Sequence, residues 1–261
     1  MITHCGNVAI PANKLRKARS LSLRIDTSDN GFAIWHDGNC LLLHSQDVPA
    51  FDMGIGEPDM EMVRGNFRID DVVQGRWRLD RIAQDENTVR LWNSERSDIV
   101  LTMAVEQTGI RTILKLRCTD QAINRLWVRM NTASDETFWG GGEQMSYLAL
   151  NGRRFPFWTS EPGVGRDKST KLTQIMDHEG LAGGDYWTTN YPQPTWISSA
   201  RYAVHLETAA YSVLDLSKPG VAAIECWQTD VDMELFSAPT LPELVTAMSN
   251  RFGRQPPLRP G

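Results

Sequence analysis

Cysteine is scarce in this chain of 261 residues, and the four present, Cys5, Cys40, Cys118 and Cys226, stand far apart. No C-x-x-C pair occurs, which excludes a zinc knuckle and a thioredoxin-type redox motif. They read as small core residues or incidental thiols of a reducing compartment. Long apolar runs are missing as well. No stretch approaches the ~20 residues that span a bilayer, and the first residues carry no apolar signal core. The expectation is a cytoplasmic chain with no membrane partner. Positive charge is in deficit, with 27 Lys and Arg against 32 Asp and Glu and a net charge of −5. With no basic stripe, that argues against a nucleic-acid partner. Histidine numbers only five, and His178 and His205 lack metal-ligand spacing. Ser146 and Ser160 do not sit in a nucleophile elbow. No metal and no cofactor are expected.

Helical periodicity is lacking before residue 238; a period of two stands in its place. Leu21, Leu23 and Ile25 alternate with polar residues, as do Ile99, Leu101, Met103 and Val105, and Leu126, Val128 and Met130. Asp37-Gly38 between apolar runs predicts a hairpin. The segment 51 to 65, with Gly54, Gly56, Pro58 and Gly65, reads as a loop. Thr170 to Met176 reads as a strand. Tyr191-Pro192-Gln193-Pro194-Thr195-Trp196 is excluded as a central strand, because two prolines remove ladder donors. Many short strands with turn signals predict a sandwich or barrel.

The pattern switches once. Leu241, Leu244, Val245, Met248 and Phe252 make one helical stripe from about 240 to 252. Thr240 and Glu243 have capping-box spacing, Pro242 suits the first turn, and Gly253 suits the stop. The organisation expected is a disordered tail over 1–19 containing the basic run Lys14, Arg16, Lys17 and Arg19, a β domain over 20–238, and a helix with a Pro-rich linker over 239–261.

The segment from 138 to 168 holds the densest functional signal. Trp139 leads into Gly140, Gly141 and Gly142, then Glu143 and Gln144. Consecutive glycines mark a backbone that bends sharply or is closely approached. Aromatics beside charged residues, here Phe155-Pro156-Phe157-Trp158 and then Glu161, Arg166, Asp167 and Lys168, suit sugar recognition. The bland reading is a tight turn between buried strands. Glu143, Glu161, Asp167 and Asp185 are the candidate carboxylates on this side, although loop carboxylates commonly serve as turn caps.

Five segments carry a specific resemblance: Phe138 to Tyr147, Phe155 to Lys168, Gly183 to Trp187, Tyr191 to Trp196 and Phe252 to Leu258, with Met62 to Phe67 in addition. They resemble the amino-terminal region of glycoside hydrolase family 31, most closely its sulfoquinovosidase branch. The resemblance implies an all-β, galactose-mutarotase-like sandwich with one C-terminal helix, packed against a (β/α)8 barrel absent from this chain. It implies that the barrel supplies an Asp nucleophile and an Asp general acid, which a retaining glycosidase holds ~5–5.5 Å apart. Catalytic residues are therefore not expected here. The resemblance implies a glycoside substrate, an active-site wall built partly by Glu161, Arg166 and Asp167, and the barrel as partner in cis or in trans. The alternative is a stand-alone carbohydrate-binding or mutarotase-type protein.

Overall fold

A computed structural model describes residues 23–85, 88–144 and 146–254. The basic run, Cys5 and the Pro-rich segment after Arg254 lie outside these residues. The described chain runs through β1 (Arg24–Ser28), β2 (Gly31–His36), β3 (Asn39–Ser45), β4 (Phe51–Val63), β5 (Asn66–Arg78), β6 (Arg81–Asp85), β7 (Thr88–Trp92), β8 (Val100–Thr108) and β9 (Arg111–Cys118). It continues with β10 (Arg125–Asn131), β11 (Phe138–Gly142), β12 (Arg154–Phe157), α1 (Lys171–His178), β13 (Pro192–Ser198), β14 (Tyr202–Glu207), β15 (Ser212–Asp215), β16 (Val221–Cys226), β17 (Val231–Ser237) and α2 (Leu241–Phe252).

Every strand pairing between these elements is antiparallel. Eight strands lie in the order β11-β13-β14-β17-β9-β8-β7-β6, six in the order β12-β15-β16-β10-β4-β5, and β1-β2-β3 form a small third sheet. The inward residues of the two large sheets join one core. Leu126, Val128 and Met130 of β10 and Ile224 of β16 belong to the same buried cluster as Leu114 and Leu116 of β9 and Met233 and Leu235 of β17. Alternation along each strand drives this arrangement, because one face leaves water while the other stays solvated. The expected β-sandwich is what forms.

Three expectations are corrected. The segment 51 to 65 is no loop: β4 and β5 form a long hairpin whose tip, Arg64–Gly65, has positive φ at both residues. Gly65 turns the chain there, whereas Gly54 and Gly56 serve close approach within the strand. A Cβ on Gly54 would stand 2.2 Å from the Gly75 carbonyl oxygen, and one on Gly56 would stand 2.6 Å from the Arg125 guanidinium. Residues 171 to 178 form α1 rather than a strand, with the Thr170 side chain accepting from the Thr173 N–H. The segment 192 to 198 is β13, an interior strand between β11 and β14. It tolerates Pro192 and Pro194 because β14 pairs only with Thr195, Trp196 and Ile197, while the β11 side is irregular between Gly140 and Gly142.

Helix α2 has the expected caps. Thr240 accepts from the Glu243 N–H, its hydroxyl donates to the Glu243 carboxylate at 2.9 Å, and Gly253 ends the helix at φ 97°. Leu244 is fully buried against Ala203 and Phe236, with Leu241 and Met248 packed around them; Val245 and Phe252 stay about half exposed. A charge network holds the last turn. Arg251 Nη2 lies 2.9 Å from the buried Glu234 carboxylate and 2.8 Å from Glu207, and Arg111 approaches Glu234 at 3.2 Å. Removing one partner of a largely buried carboxylate is destabilising, but Arg111 remains and Arg251 is partly solvated. Arg251→Ala is thus expected to cost about 1–2 kcal/mol and to speed amide exchange across 241–252. Unchanged exchange there would show that apolar packing alone seats α2.

Candidate functional site

The three consecutive glycines close β11 against β13. Phe138 pairs with Ser198, Gly140 with Trp196 and Gly142 with Pro192, with a bulge between the last two pairs. The Glu143 N–H then donates to the Tyr191 carbonyl at 3.0 Å. The glycine run is therefore a backbone device, and Glu143 beyond it is exposed.

The loop after β12 is folded tightly on itself. Val164 bridges Gly183 in a parallel β-bridge, its N–H donating to Ala182 and its carbonyl accepting from Gly184. Thr188 knots the base: its hydroxyl donates to the carbonyls of Pro162 and Asp185, and it accepts from the Asp185 N–H. Arg166 Nη1 donates to the Thr188 carbonyl at 2.9 Å and approaches its hydroxyl at 3.3 Å. Lys168 pairs with Asp177 of α1 at 2.8 Å. The loop also grips the hairpin tip. The Glu161 N–H donates to the Gly65 carbonyl at 3.0 Å, and the Glu161 side chain lies over Gly65.

The three predicted site residues share this loop but not one environment. Glu161 and Asp167 are exposed, whereas Arg166 is half-buried on Thr188. Asp167 accepts from the Ser169 N–H, and the hydrogen bonding from Ser169 holds its carboxyl below the usual range. Among the other candidates, Asp185 lines a cavity of about 300 Å³ between the hairpin, α1 and β12. Ser160 lines the same cavity and is buried. His178 is exposed at the end of α1. His205 lies on β14, 2.7 Å from the Thr195 hydroxyl and against the Phe252 ring, and burial lowers its pKa. Ser146 is not drawn into a nucleophilic arrangement; its hydroxyl is buried without a partner. Among the described residues no cluster of His, Cys, Asp or Glu has the form of a metal site, and no helix is long and apolar enough to cross a membrane.

The cavity also draws in residues not singled out one by one in the sequence, notably Asn66, Phe67 and Trp187. Their signal was present in the segments Met62 to Phe67 and Gly183 to Trp187, although spacing alone gave no hint that the two meet.

The chain is 46% identical over 236 residues to the sulfoquinovosidase of Agrobacterium fabrum, covering 90% of this chain and 35% of that protein. It is 34% identical over 242 residues to the sulfoquinovosidase of Escherichia coli K12, covering 91% and 36%. The solved structure of a GH31 family sulfoquinovosidase from E. rectale, in complex with the aza-sugar inhibitor IFGSQ, superposes with a TM-score of 0.80 at 38% identity, over 89% of this chain and 35% of that one. The chain resembles the amino-terminal β-sandwich region of glycoside hydrolase family 31 sulfoquinovosidases. No family model matches it. The similarity spans about a third of the length of these sulfoquinovosidases. The described residues form a sandwich with two helices, and no (β/α)8 barrel is among them.

Proposed function

We propose that this sandwich is the amino-terminal part of a retaining α-glycosidase acting on sulfoquinovosides or α-glucosides, with the cleaving carboxylates on a (β/α)8 barrel. The observation that carries the reading is identity of 46% across 90% of this chain to a sulfoquinovosidase of which it spans only 35%. In this reading the loop from Thr159 to Lys168 forms part of the active-site wall. Glu161 and Asp167 are exposed there and can accept hydrogen bonds from sugar hydroxyls. Arg166 adds positive potential toward an anionic substrate while tying the loop to Thr188.

Two outcomes test this. The chain by itself should show no hydrolysis of aryl α-glucosides or α-sulfoquinovosides. Turnover that survives stringent purification and disappears in Glu161→Gln would overturn that. With the barrel supplied in cis or in trans, Arg166→Ala should lower kcat/KM on a sulfonated glycoside about tenfold, and should lower the thermal midpoint by no more than about 2–4 °C. A much larger fall in midpoint with normal activity per folded molecule would make Arg166 a brace and not a site residue.

A further inference from the structure

The cavity bounded by the hairpin, α1 and β12 is lined by Ser160 and Lys168 of the wall loop and otherwise by residues outside that loop. Its volume of about 300 Å³ is at the small end of small-molecule sites, which run from about 300 to 1,000 Å³. Three of its side chains have unused hydrogen-bonding capacity. The Asn66 amide and the Ser160 hydroxyl belong to buried residues and make no side-chain hydrogen bond among the described residues. Asp185 spends one carboxylate oxygen on the Tyr186 N–H at 2.8 Å and leaves the other free. Asn66 and Ser160 are buried residues and Asp185 is half-buried; water can serve the polar atoms they present to the cavity, and the hydroxyls of a ligand can take its place.

The apolar part of the lining is fixed in place. Phe67 stands edge-on to Trp158 at 5.6 Å, and Tyr211 packs against Trp227 at 4.3 Å. Trp187 lies partly buried against the main core. Rings that are already immobilised lose little freedom when a ligand packs on them, and their faces suit the C–H side of a sugar ring.

Charge decides the class of ligand. Each cation on the lining already has a carboxylate: Arg68 with Glu61, Lys168 with Asp177 at 2.8 Å and Arg154 with Glu225 at 3.6 Å. Each lining cation thus has a carboxylate beside it, which favours a neutral ligand over a phosphate or sulfonate. We propose that this cavity is a binding site for one neutral pyranose ring, with Asn66, Ser160 and Asp185 meeting its hydroxyls and Trp187 its apolar face. The inference extends the glycosidase reading by giving the sandwich a sugar site that does not depend on the catalytic carboxylates.

The test titrates the chain with methyl α-D-glucopyranoside, followed by saturation-transfer NMR and calorimetry. A ligand of this size in a preformed pocket is expected to bind with a Kd of about 1 mM. Asn66→Ala and Ser160→Ala should each weaken binding about tenfold, while Glu143→Gln, at an exposed residue outside the cavity, should leave it unchanged. Trp187→Ala should abolish binding, and circular dichroism would separate that from unfolding; the Asn66 and Ser160 variants keep the test decisive if Trp187→Ala does not fold. Adding a sulfonate at the sugar C6 should not tighten binding. Absence of saturation transfer, binding indifferent to the Asn66 and Ser160 variants, or preferential salt-sensitive binding of the sulfonated sugar would each overturn the assignment. Because the readout is binding without the barrel, its failure is distinct from a failure of the glycosidase reading, which is read from turnover with the barrel.

Discussion

Gly142→Ala should destabilise the chain by at least about 3 kcal/mol, lowering the thermal midpoint by roughly 6–12 °C. Two effects combine at this residue. Its φ of +84° is one that side chains with a Cβ rarely adopt. A Cβ placed there would also stand 2.1 Å from the Tyr191 carbonyl oxygen and 2.6 Å from the Gln193 nitrogen. Both are backbone atoms, one in β13 and one in the residue just before it, so the clash cannot be relieved by rotating a side chain. The β11–β13 pairing has to open, and with it the Glu143 to Tyr191 hydrogen bond. Gly152 supplies the control. Its φ of +76° is similar, yet nothing lies within 4 Å of its Cβ position, so Gly152→Ala should cost only about 1 kcal/mol. Urea unfolding of the two variants measures the difference directly. Equal losses would mean that β13 shifts freely and that the glycine run is a turn device alone.

That pair of glycines also shows where the sequence was legible. Three consecutive glycines announced a special backbone, and the close approach of a neighbour was one of the two readings they allowed. They could not say which strand approaches, because that depends on sheet order. The same limit explains β13. Its prolines argue soundly against a fully paired central strand, and the chain complies by leaving the proline end unpaired on the β14 side while keeping the strand interior. In the hairpin, Gly54 and Gly56 looked like turn residues because glycine's two uses, bending and close approach, give the same letter. The helix α1 was hidden for another reason. Leu172, Ile175 and Met176 do fall at helical i, i+3 and i+4 spacing, but over only eight residues, with Leu172 and Ile175 facing solvent and only Thr173 buried, so the stripe is too short to stand out from a strand. Where one face is buried, as in β8, β10 and the Leu244 side of α2, periodicity found the element. The cavity was the least legible feature, since Asn66, Ser160 and Asp185 are brought together by contacts between loops rather than by any repeat.

Acid should weaken the fold well above the range where carboxylates titrate, through His44. This ring on β3 is fully buried, stacked on Phe32 at 5.3 Å and lying 5.8 Å from the Phe51 ring. Its Nδ1 accepts from the Ala50 N–H at 3.3 Å, which places the proton of the neutral ring on Nε2, and Nε2 has no partner. A second proton would break the Ala50 bond and put a charge among aromatic rings. Burial is the main cause, with the Arg129 charge adding to it, and together they lower the pKa from 6.5 to about 4. The folded pKa lies below the unfolded one, so the contribution is complete above pH 6.5, where both states hold a neutral ring. It is lost as pH falls toward 4, because the unfolded chain takes up the proton first. The loss across that window is about 3 kcal/mol. His36 and His205 are also lowered by burial and contribute slopes of the same sign, so the His44 share has to be isolated by comparison. His44→Phe keeps the ring packing and removes the titration. It should be less stable at pH 7, because the Ala50 N–H loses its acceptor at about 1–3 kcal/mol, yet the gap to wild type should narrow steadily from pH 6.5 to pH 4.5. Urea unfolding at four pH values in that interval measures it. Two parallel stability curves would show that His44 does not carry the acid sensitivity.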